Sequence, residues 1–252
     1  MLSSLLQVFR GLFADMQGAL LPDSCIACGS HLSPGVSYLC PSCLSQLPYT
    51  FFRARCDNPA ERLFHGVVQV ERVDSYLFYT PASSSHSVLM ALKYEHMPDV
   101  GRVFGRKMAS ELKDTGFFDT IDGIVPIPLA PKRLRSRGYN QSLMLAEGIA
   151  KEAGLPVWDK VVERTVETQS QTLLSHAQRR KNVEGVFACT CPQQITGRHL
   201  LIVDDVVTTG ATLSSCISSM EGFSGTRFSI LTLAMTVFQN SSTLCKPVTF
   251  DL

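Results

Sequence analysis

Two adjacent carboxylates stand before a hydroxyl-rich turn in the stretch HLLIVDDVVTTGATLSSC, residues 199–216. The apolar residues 200–203 predict a buried strand, Asp204 and Asp205 follow it, and a helix is expected to begin around Ala211. Such a turn directs backbone N–H groups and a helix N-terminus at an anion. The predicted phosphate cradle consists of Thr208, Thr209, Gly210, Ala211 and Thr212.

The acidic pair narrows the chemistry of this predicted site. Carboxylates beside a bound phosphate repel it unless they contact sugar hydroxyls or a magnesium ion with its waters. An Asp-Asp pair alone usually caps a helix, and Thr-Thr-Gly alone is an ordinary turn. Their combination in this order predicts a phosphorylated sugar bound with Mg²⁺.

Four cysteines form a second constellation, as two Cys-x2-Cys pairs separated by eleven residues. Each pair can place two thiolates on one side of a tight turn, which suits tetrahedral coordination of a structural Zn²⁺. Four buried cysteines without metal are the alternative, and a redox pair is disfavoured because neither pair opens a βαβ unit. The predicted ligands are Cys25, Cys28, Cys40 and Cys43.

Two short segments are strongly basic. The first is PKRLRSRGYNQ, residues 131–141, and the second holds Arg179, Arg180 and Lys181. A basic segment of this kind is either a solvated turn, here before a helix capped by Asn140, or a site for an anion that arginine contacts in bidentate fashion. Both interpretations stay open for each segment from the residues alone.

The remaining pattern predicts the elements that position these groups. Apolar segments at 123–129, 200–203 and 230–237 indicate strands, and His65 to Thr80 is also strand-like. Helices are predicted near 84–92, 99–113, 140–153 and 211–221. Strands alternating with helices predict an α/β, Rossmann-like fold with a mainly parallel sheet covered on both faces.

The predicted organisation has three parts. Residues 1–49 hold a helix with one apolar face and the cysteine module, 50–80 are connecting strands that form a hood, and 81–252 are the α/β domain. Nine cysteines and an opening without a secretory signal predict a cytoplasmic protein. A net charge of +1 gives no global signal for nucleic acid, and no apolar run reaches the roughly 18 residues of a membrane span.

The segment VDDVVTTGATL resembles the phosphoribosyl pyrophosphate signature of type I phosphoribosyltransferases. The segments ALKY at 91–94, VPIPLAPKRLRSRGYNQSLMLA at 125–146 and RTVETQSQTLLSHAQRRKNVEGVF at 164–187 resemble hallmarks of the ComF family of competence-associated proteins. The cysteine module in front of them is also similar to that family. The likeness implies a type I phosphoribosyltransferase-like fold behind a small zinc-binding module.

The resemblance also implies residue roles. Asp204 and Asp205 would contact the ribose, directly or through magnesium-bound water, and residues 208–212 would hold the 5′-phosphate. Lys93 and Arg137 would act on the pyrophosphate leaving group, Arg137 from a loop that closes over it. The other residues expected in the donor site are Tyr94, Asn140 and Gln141.

Two functions follow from these expectations. One is an enzyme that transfers the phosphoribosyl group to an acceptor selected by the hood. The other is a non-catalytic module that senses phosphoribosyl pyrophosphate or a related phosphosugar and binds single-stranded DNA, or the DNA-uptake machinery, through its basic loops. Single-strand binding also needs exposed aromatics for base stacking, and within the basic segments only Tyr139 offers one. No residue pattern names the acceptor.

Overall fold

A computed structural model describes residues 24–94, 96–165 and 185–236. The predicted N-terminal apolar-faced helix and the basic cluster at 179–181 lie outside the described residues. In the part of the chain that the structure describes, no helix is long and apolar enough to cross a membrane.

Parallel strands form the central sheet of the α/β fold. In chain order the described strands are β1 (Arg72–Tyr79), β2 (Gly123–Pro126), β3 (Val162–Arg164), β4 (Phe187–Cys189), β5 (His199–Val207) and β6 (Arg227–Thr236). The central sheet has the order β1-β6-β5-β2, and every neighbouring pair is parallel. Because both faces of the sheet are covered, the first half of β5 is a continuous apolar run, and Leu200 to Val203 are fully buried. Strands β3 and β4 form a separate antiparallel pair.

Helices cover the sheet, and several begin with the residues that favour helix starts. The described helices are α1 (Pro41–Ser45), α2 (Ser84–Tyr94), α3 (Pro98–Leu112), α4 (Pro131–Arg137), α5 (Gln141–Ala153), α6 (Pro192–Ile195) and α7 (Ala211–Ser218). Proline occupies the first turn of α1, α3, α4 and α6, where its missing N–H costs nothing. The helices expected near 84–92, 99–113, 140–153 and 211–221 are confirmed, with ends that differ by a few residues.

Two apolar cores lie on opposite sides of the sheet. Helices α2, α3 and α5 and the cysteine module contribute to one, where Phe104, Leu145 and Ile149 are buried. Helix α7 and the β3–β4 pair contribute to the other, where Phe64 and Ile217 are buried. The cysteine module therefore packs into the same core as the helices beside the sheet.

The segment from His65 to Thr80 differs from its expected form, because only Arg72–Tyr79 is a strand. Gly66 has a φ of 69° and lies in a turn, so the backbone at this point is not extended. Strand β1 pairs with β6 along its length, from Arg72 opposite Ser229 to Tyr79 opposite Thr236. It is thus an edge strand of the central sheet, although the sequence assigned it to a connecting hood.

Strand β5 is longer than its apolar run. It continues through both aspartates to Val207, with Asp204 opposite Thr232 of β6. Strand pairing, which hydropathy does not reveal, holds the acidic pair in the sheet. The carboxylates are consequently placed on a rigid element at its carboxyl end.

Candidate functional site

A cleft of about 380 Å³ opens at the carboxyl ends of β5 and β2. This edge is where open α/β sheets bind ligands, and the volume lies within the range of small-molecule sites. The lining residues come from α2, α4, α5, β3, β5, α7 and the loops after β2 and β5. They are Lys93, Ile127, Pro128, Leu129, Arg133, Arg137, Gln141, Ser142, Arg164, Asp204, Asp205, Val206, Thr208 and Thr212.

The two aspartates have different surroundings. Asp205 Oδ2 lies 3.0 Å from Lys93 Nζ, and both side chains are largely buried. Asp204 Oδ1 accepts hydrogen bonds from Ser142 Oγ and from the Asp205 backbone N–H, each at 2.9 Å. Burial first, and the neighbouring Asp205 charge second, raise the pKa of Asp204 to about 7. A cation or sugar hydroxyls at this position would favour the ionised carboxylate.

The turn after β5 has the geometry of an anion cradle. Gly210, with a φ of 76°, precedes α7, and no side chain among the described residues caps that helix. The first N–H groups of an α-helix have no partner within it, so α7 directs donors and its positive dipole end at the turn. Thr208 and Thr212 line the cleft. Thr209 Oγ1 makes a long contact of 3.5 Å with the Ala211 N–H.

Packing explains why glycine stands at the start of α7. A Cβ at Gly210 would lie 3.0 Å from the ring of Phe64, which is fully buried. Both the positive φ and this close ring therefore require glycine. The Phe64 ring thus packs against the turn at Gly210, a contact that no sequence pattern predicted.

Arg137 is held at the cleft by two neighbours. Its Nη1 donates to Gln141 Oε1 at 2.9 Å, and its guanidinium lies 5.2 Å from the centre of the Tyr94 ring. The Tyr94 side chain is exposed and borders the basic helix α4 without lining the cleft. Lys93, Arg137 and Gln141 thus line the same cleft, and the Tyr94 ring stacks on the arginine.

Asn140 and Gln141 use their amides differently. Asn140 Oδ1 accepts from the Ser142 N–H at 3.1 Å and caps α5, while its Nδ2 donates to the Ile127 carbonyl at 2.9 Å. Both polar ends of the Asn140 side chain thus contact backbone atoms. This agrees with the interpretation of Asn140 as a helix cap. Gln141 is almost fully buried, and its Nε2 has no hydrogen-bond partner among the described residues. That amide is therefore a buried, unsatisfied donor in a residue that lines the cleft.

Two polar lining residues, Ser142 and Arg164, were not predicted from the sequence. Ser142 follows Gln141 and fixes Asp204, and Arg164 begins the segment that resembled a ComF hallmark. Arg164 could have been found from the sequence, because it is a cation at the end of a short strand and opens that segment. Ser142 carried no such signal, because serine near a helix start is common.

The four predicted cysteine ligands converge in the module before α2. Their sulfur atoms all lie within 4.8 Å of one another, and Cys28 Sγ is 3.8 Å from Cys40 Sγ. A tetrahedron with metal–sulfur bonds of about 2.3 Å has sulfur atoms about 3.8 Å apart, so the cluster fits a zinc ion. The Cys40 and Cys43 N–H groups point at Cys25 Sγ and Cys40 Sγ. Hydrogen bonds from Ser30 lower the pKa of Cys28 to about 6, which favours a thiolate.

Comparisons with known proteins agree with this architecture. A family model described as phosphoribosyl transferase domain matches residues 139–246. DNA utilization protein YhgH of Salmonella typhimurium is 32% identical over 195 residues, covering 75% of this chain and 80% of that protein. Competence protein F of Haemophilus influenzae is 26% identical over 199 residues, covering 75% and 87%. The chain belongs to the ComF family.

A third relative also carries a competence-protein name. Competence protein ComFC of Bacillus subtilis is 25% identical over 199 residues, covering 77% of each chain. The parallel sheet with helices, the phosphoribosyl transferase match and the N-terminal cysteine cluster together give this ComF protein a type I phosphoribosyltransferase-like fold. The fold class expected from the sequence is confirmed.

Proposed function

We propose that the cleft binds magnesium-bound phosphoribosyl pyrophosphate or a closely related phosphosugar. One observation carries the proposal: a single cleft combines the acidic pair, the turn before α7 and four cationic side chains. Thr208, Thr212 and the α7 N-terminus suit the 5′-phosphate, and the carboxylates suit the ribose hydroxyls. Each part of the donor thus has a chemically matched partner.

The charge balance of the cleft supports a polyanionic ligand. Lys93, Arg133, Arg137 and Arg164 face only two lining carboxylates, Asp204 and Asp205. Asp204 and Asp205 are the residues that would hold magnesium together with the ribose, and the ion would neutralise charge on the pyrophosphate. Lys93 and Arg137 would then contact the leaving group, and the Gln141 amide N–H would donate a hydrogen bond to an oxygen atom of phosphoribosyl pyrophosphate.

As a phosphoribosyltransferase, the protein would displace pyrophosphate from the anomeric carbon. The acceptor nitrogen forms a bond to that carbon while the carbon–oxygen bond to pyrophosphate breaks, and the electron pair leaves with the pyrophosphate. Arg137 contacts that group more strongly as negative charge develops on it. Stabilising the leaving group is thus the role we assign to Arg137 and Lys93.

Pyrophosphate release tests whether the protein is an enzyme. Donor affinity and pyrophosphate release with mixed nucleobases would be measured for the wild type and Arg137→Ala. An enzyme should release pyrophosphate only with an acceptor, and Arg137→Ala should lower turnover more than donor affinity. Donor binding without release against every acceptor would favour the non-catalytic module.

The alternative function is a phosphosugar sensor that binds single-stranded DNA. The names of the relatives, DNA utilization protein and competence protein, motivate a role of this chain in DNA utilization or uptake. The exposed Tyr94 ring lies beside Arg137 of the basic helix α4 and offers a surface on which a base could stack. This stacking surface was not predicted from the sequence.

Salt dependence tests the DNA alternative. A protein that binds DNA phosphates releases counterions, and this gain falls as the salt concentration rises, so the affinity should weaken steeply with added salt. Binding of a labelled oligonucleotide would be titrated at several salt concentrations. Replacing Arg179, Arg180 and Lys181 with Gln should lower the slope of affinity against salt. An unchanged slope would remove that cluster from the interface.

A further inference from the structure

We propose that Phe64 is a positioning residue for the donor site: its ring fixes the backbone of the turn at residues 208–210, so that a phosphate meets the turn without rearrangement. The inference rests on the proposed function, because it assumes that this turn binds the 5′-phosphate. Phe64 lies outside the cleft and would act through Gly210. A preorganised turn binds an anion more tightly, because less conformational entropy is lost on binding.

The contact between Phe64 and the turn is close. Ring atoms Cε1 and Cζ of Phe64 lie 3.0 and 3.2 Å from the position that a Cβ at Gly210 would occupy. The three atoms nearest to that position all belong to this ring. Because Gly210 is the residue at which the turn passes into α7, the ring contacts the turn at its last residue. A shift of the ring would therefore be transmitted to the phosphate-binding N–H groups.

The apolar core surrounds the turn on both of its flanks. Val207 ends β5 before the turn, Leu213 lies in the first turn of α7 behind it, and both are buried in the same cluster as Phe64. The two flanks are thus packed through their own side chains. Gly210 has no side chain with which to pack, so the Phe64 ring provides the contact that it lacks.

The Asn58 side chain holds the segment that carries Phe64. Its Nδ2 donates to the Val73 carbonyl in β1 at 2.8 Å. Its Oδ1 accepts from the N–H groups of Ala60 and Glu61 at 2.9 and 3.1 Å and caps the short helical turn before Phe64. The Phe64 N–H then donates to the Glu61 carbonyl at 2.9 Å. The place of the ring is therefore set from the edge strand of the central sheet.

The inference gives the segment 50–80 a role that its expected function did not include. The sequence assigned this segment to a hood over the acceptor, whereas Phe64 and its Asn58 support pack on the donor side of the proposed site. Changes in this segment should consequently alter donor affinity.

Donor affinity tests the inference, measured by calorimetry with phosphoribosyl pyrophosphate and magnesium. Phe64→Leu should weaken binding at least fivefold, because leucine places no ring against Gly210. Phe117→Leu is the matched control, since Phe117 is also fully buried but belongs to the core on the other face of the sheet. It removes the same atoms and should change donor affinity less than twofold. Phe64→Met provides the same readout if Phe64→Leu does not fold.

A double-mutant cycle separates positioning of the turn from a general weakening of the fold. Gly210→Ala places a methyl group against the ring and strains the positive φ, so it should also weaken donor binding. If the ring acts through Gly210, the two losses should not add, and Phe64→Leu/Gly210→Ala should bind the donor no more weakly than Gly210→Ala. Additive losses would show that Phe64 acts elsewhere and would overturn the inference.

The outcomes separate this inference from the proposed function. A wild type that does not bind the donor contradicts the proposed function, and the role of Phe64 with it. A wild type that binds the donor as tightly as folded Phe64→Leu contradicts the role of Phe64 alone. The same holds if Phe64→Leu and Phe117→Leu lose equal affinity, because the loss would then follow from core packing in general.

Discussion

His199 shows how a buried polar residue supports the fold away from the cleft. Its Nδ1 and Nε2 lie 2.9 Å from Thr120 Oγ1 and Ser229 Oγ, at the start of β5. Burial lowers its pKa, and the charge of Arg227 lowers it further. The folded protein therefore holds the ring neutral.

The sign of the resulting pH dependence follows from linkage. Because the folded-state pKa of His199 lies below the unfolded value of about 6.5, the unfolded state binds its proton first. Its contribution to stability is present above that value and is lost as pH falls further. Urea unfolding at pH 7.5 and 5.5 should show a smaller stability difference for His199→Gln than for the wild type. Equal differences would show that His199 does not titrate with folding.

At the scale of elements, the crossing of α3 and α5 positions the cleft. A Cβ at Gly148 would meet the Arg102 carbonyl oxygen well inside contact distance, and one at Gly101 would lie 2.6 Å from Met144 Cβ. The two helices therefore touch through their backbones. Because α5 begins with Gln141 and Ser142, this close contact helps to set their place in the cleft.

Gly148→Ala tests the role of this crossing. The added methyl group should force the helices apart and lower the free energy of unfolding by about 1–3 kcal/mol, the usual cost of overpacking. Gly222→Ala is the control, since nothing lies within 4 Å of a Cβ there and its φ is not in the left-handed region. Chemical denaturation of both variants measures the difference. Equal stability of the two would contradict the close packing.

Helix signals in the sequence were reliable where capping chemistry and apolar period agreed. Asn140 at the start of α5 is such a case, and the structure confirms its cap. Strand β1 was less predictable. The segment from His65 to Thr80 is rich in β-branched and aromatic residues throughout, so its composition does not show that the turn at Gly66 precedes the strand or that the strand begins at Arg72. Only its pairing with β6 reveals that it belongs to the central sheet.

At the scale of the whole molecule, the cysteine module is joined to the α/β domain through a shared core. Cys25, Tyr38 and Leu47 are buried in the same cluster as residues of α3 and α5. We propose that one structural Zn²⁺ binds the four cysteines, because their sulfur atoms have the spacing of a tetrahedral zinc site. Loss of the metal should then weaken the core beside the sheet as well.

Metal analysis tests the zinc site. The wild type should carry one zinc per chain after mild purification, and Cys40→Ser/Cys43→Ser should lose it and unfold at a lower temperature. Ser variants of Cys189 and Cys191, which lie outside the cluster, should keep the metal. A fully folded wild type without metal would contradict the assignment.

The composition of the cleft was predictable only in part. The acidic pair, the turn and Lys93 are adjacent in sequence to recognisable motifs, so their chemistry could be inferred from the chain. The pairing of Lys93 with Asp205, the bond from Ser142 to Asp204 and the position of Arg164 depend on contacts between distant segments. Such contacts are set by helix and strand packing, which one sequence does not encode locally.

Donor binding by calorimetry tests the central claim most directly. The wild type should bind phosphoribosyl pyrophosphate in the presence of magnesium, and Asp204→Asn/Asp205→Asn should weaken binding by about 2–4 kcal/mol, the scale of losing charge-assisted hydrogen bonds. The double variant should remain folded, because both changes keep the side-chain size. No binding by the wild type at millimolar donor, or equal affinity in the folded double variant, would contradict the assignment of the cleft.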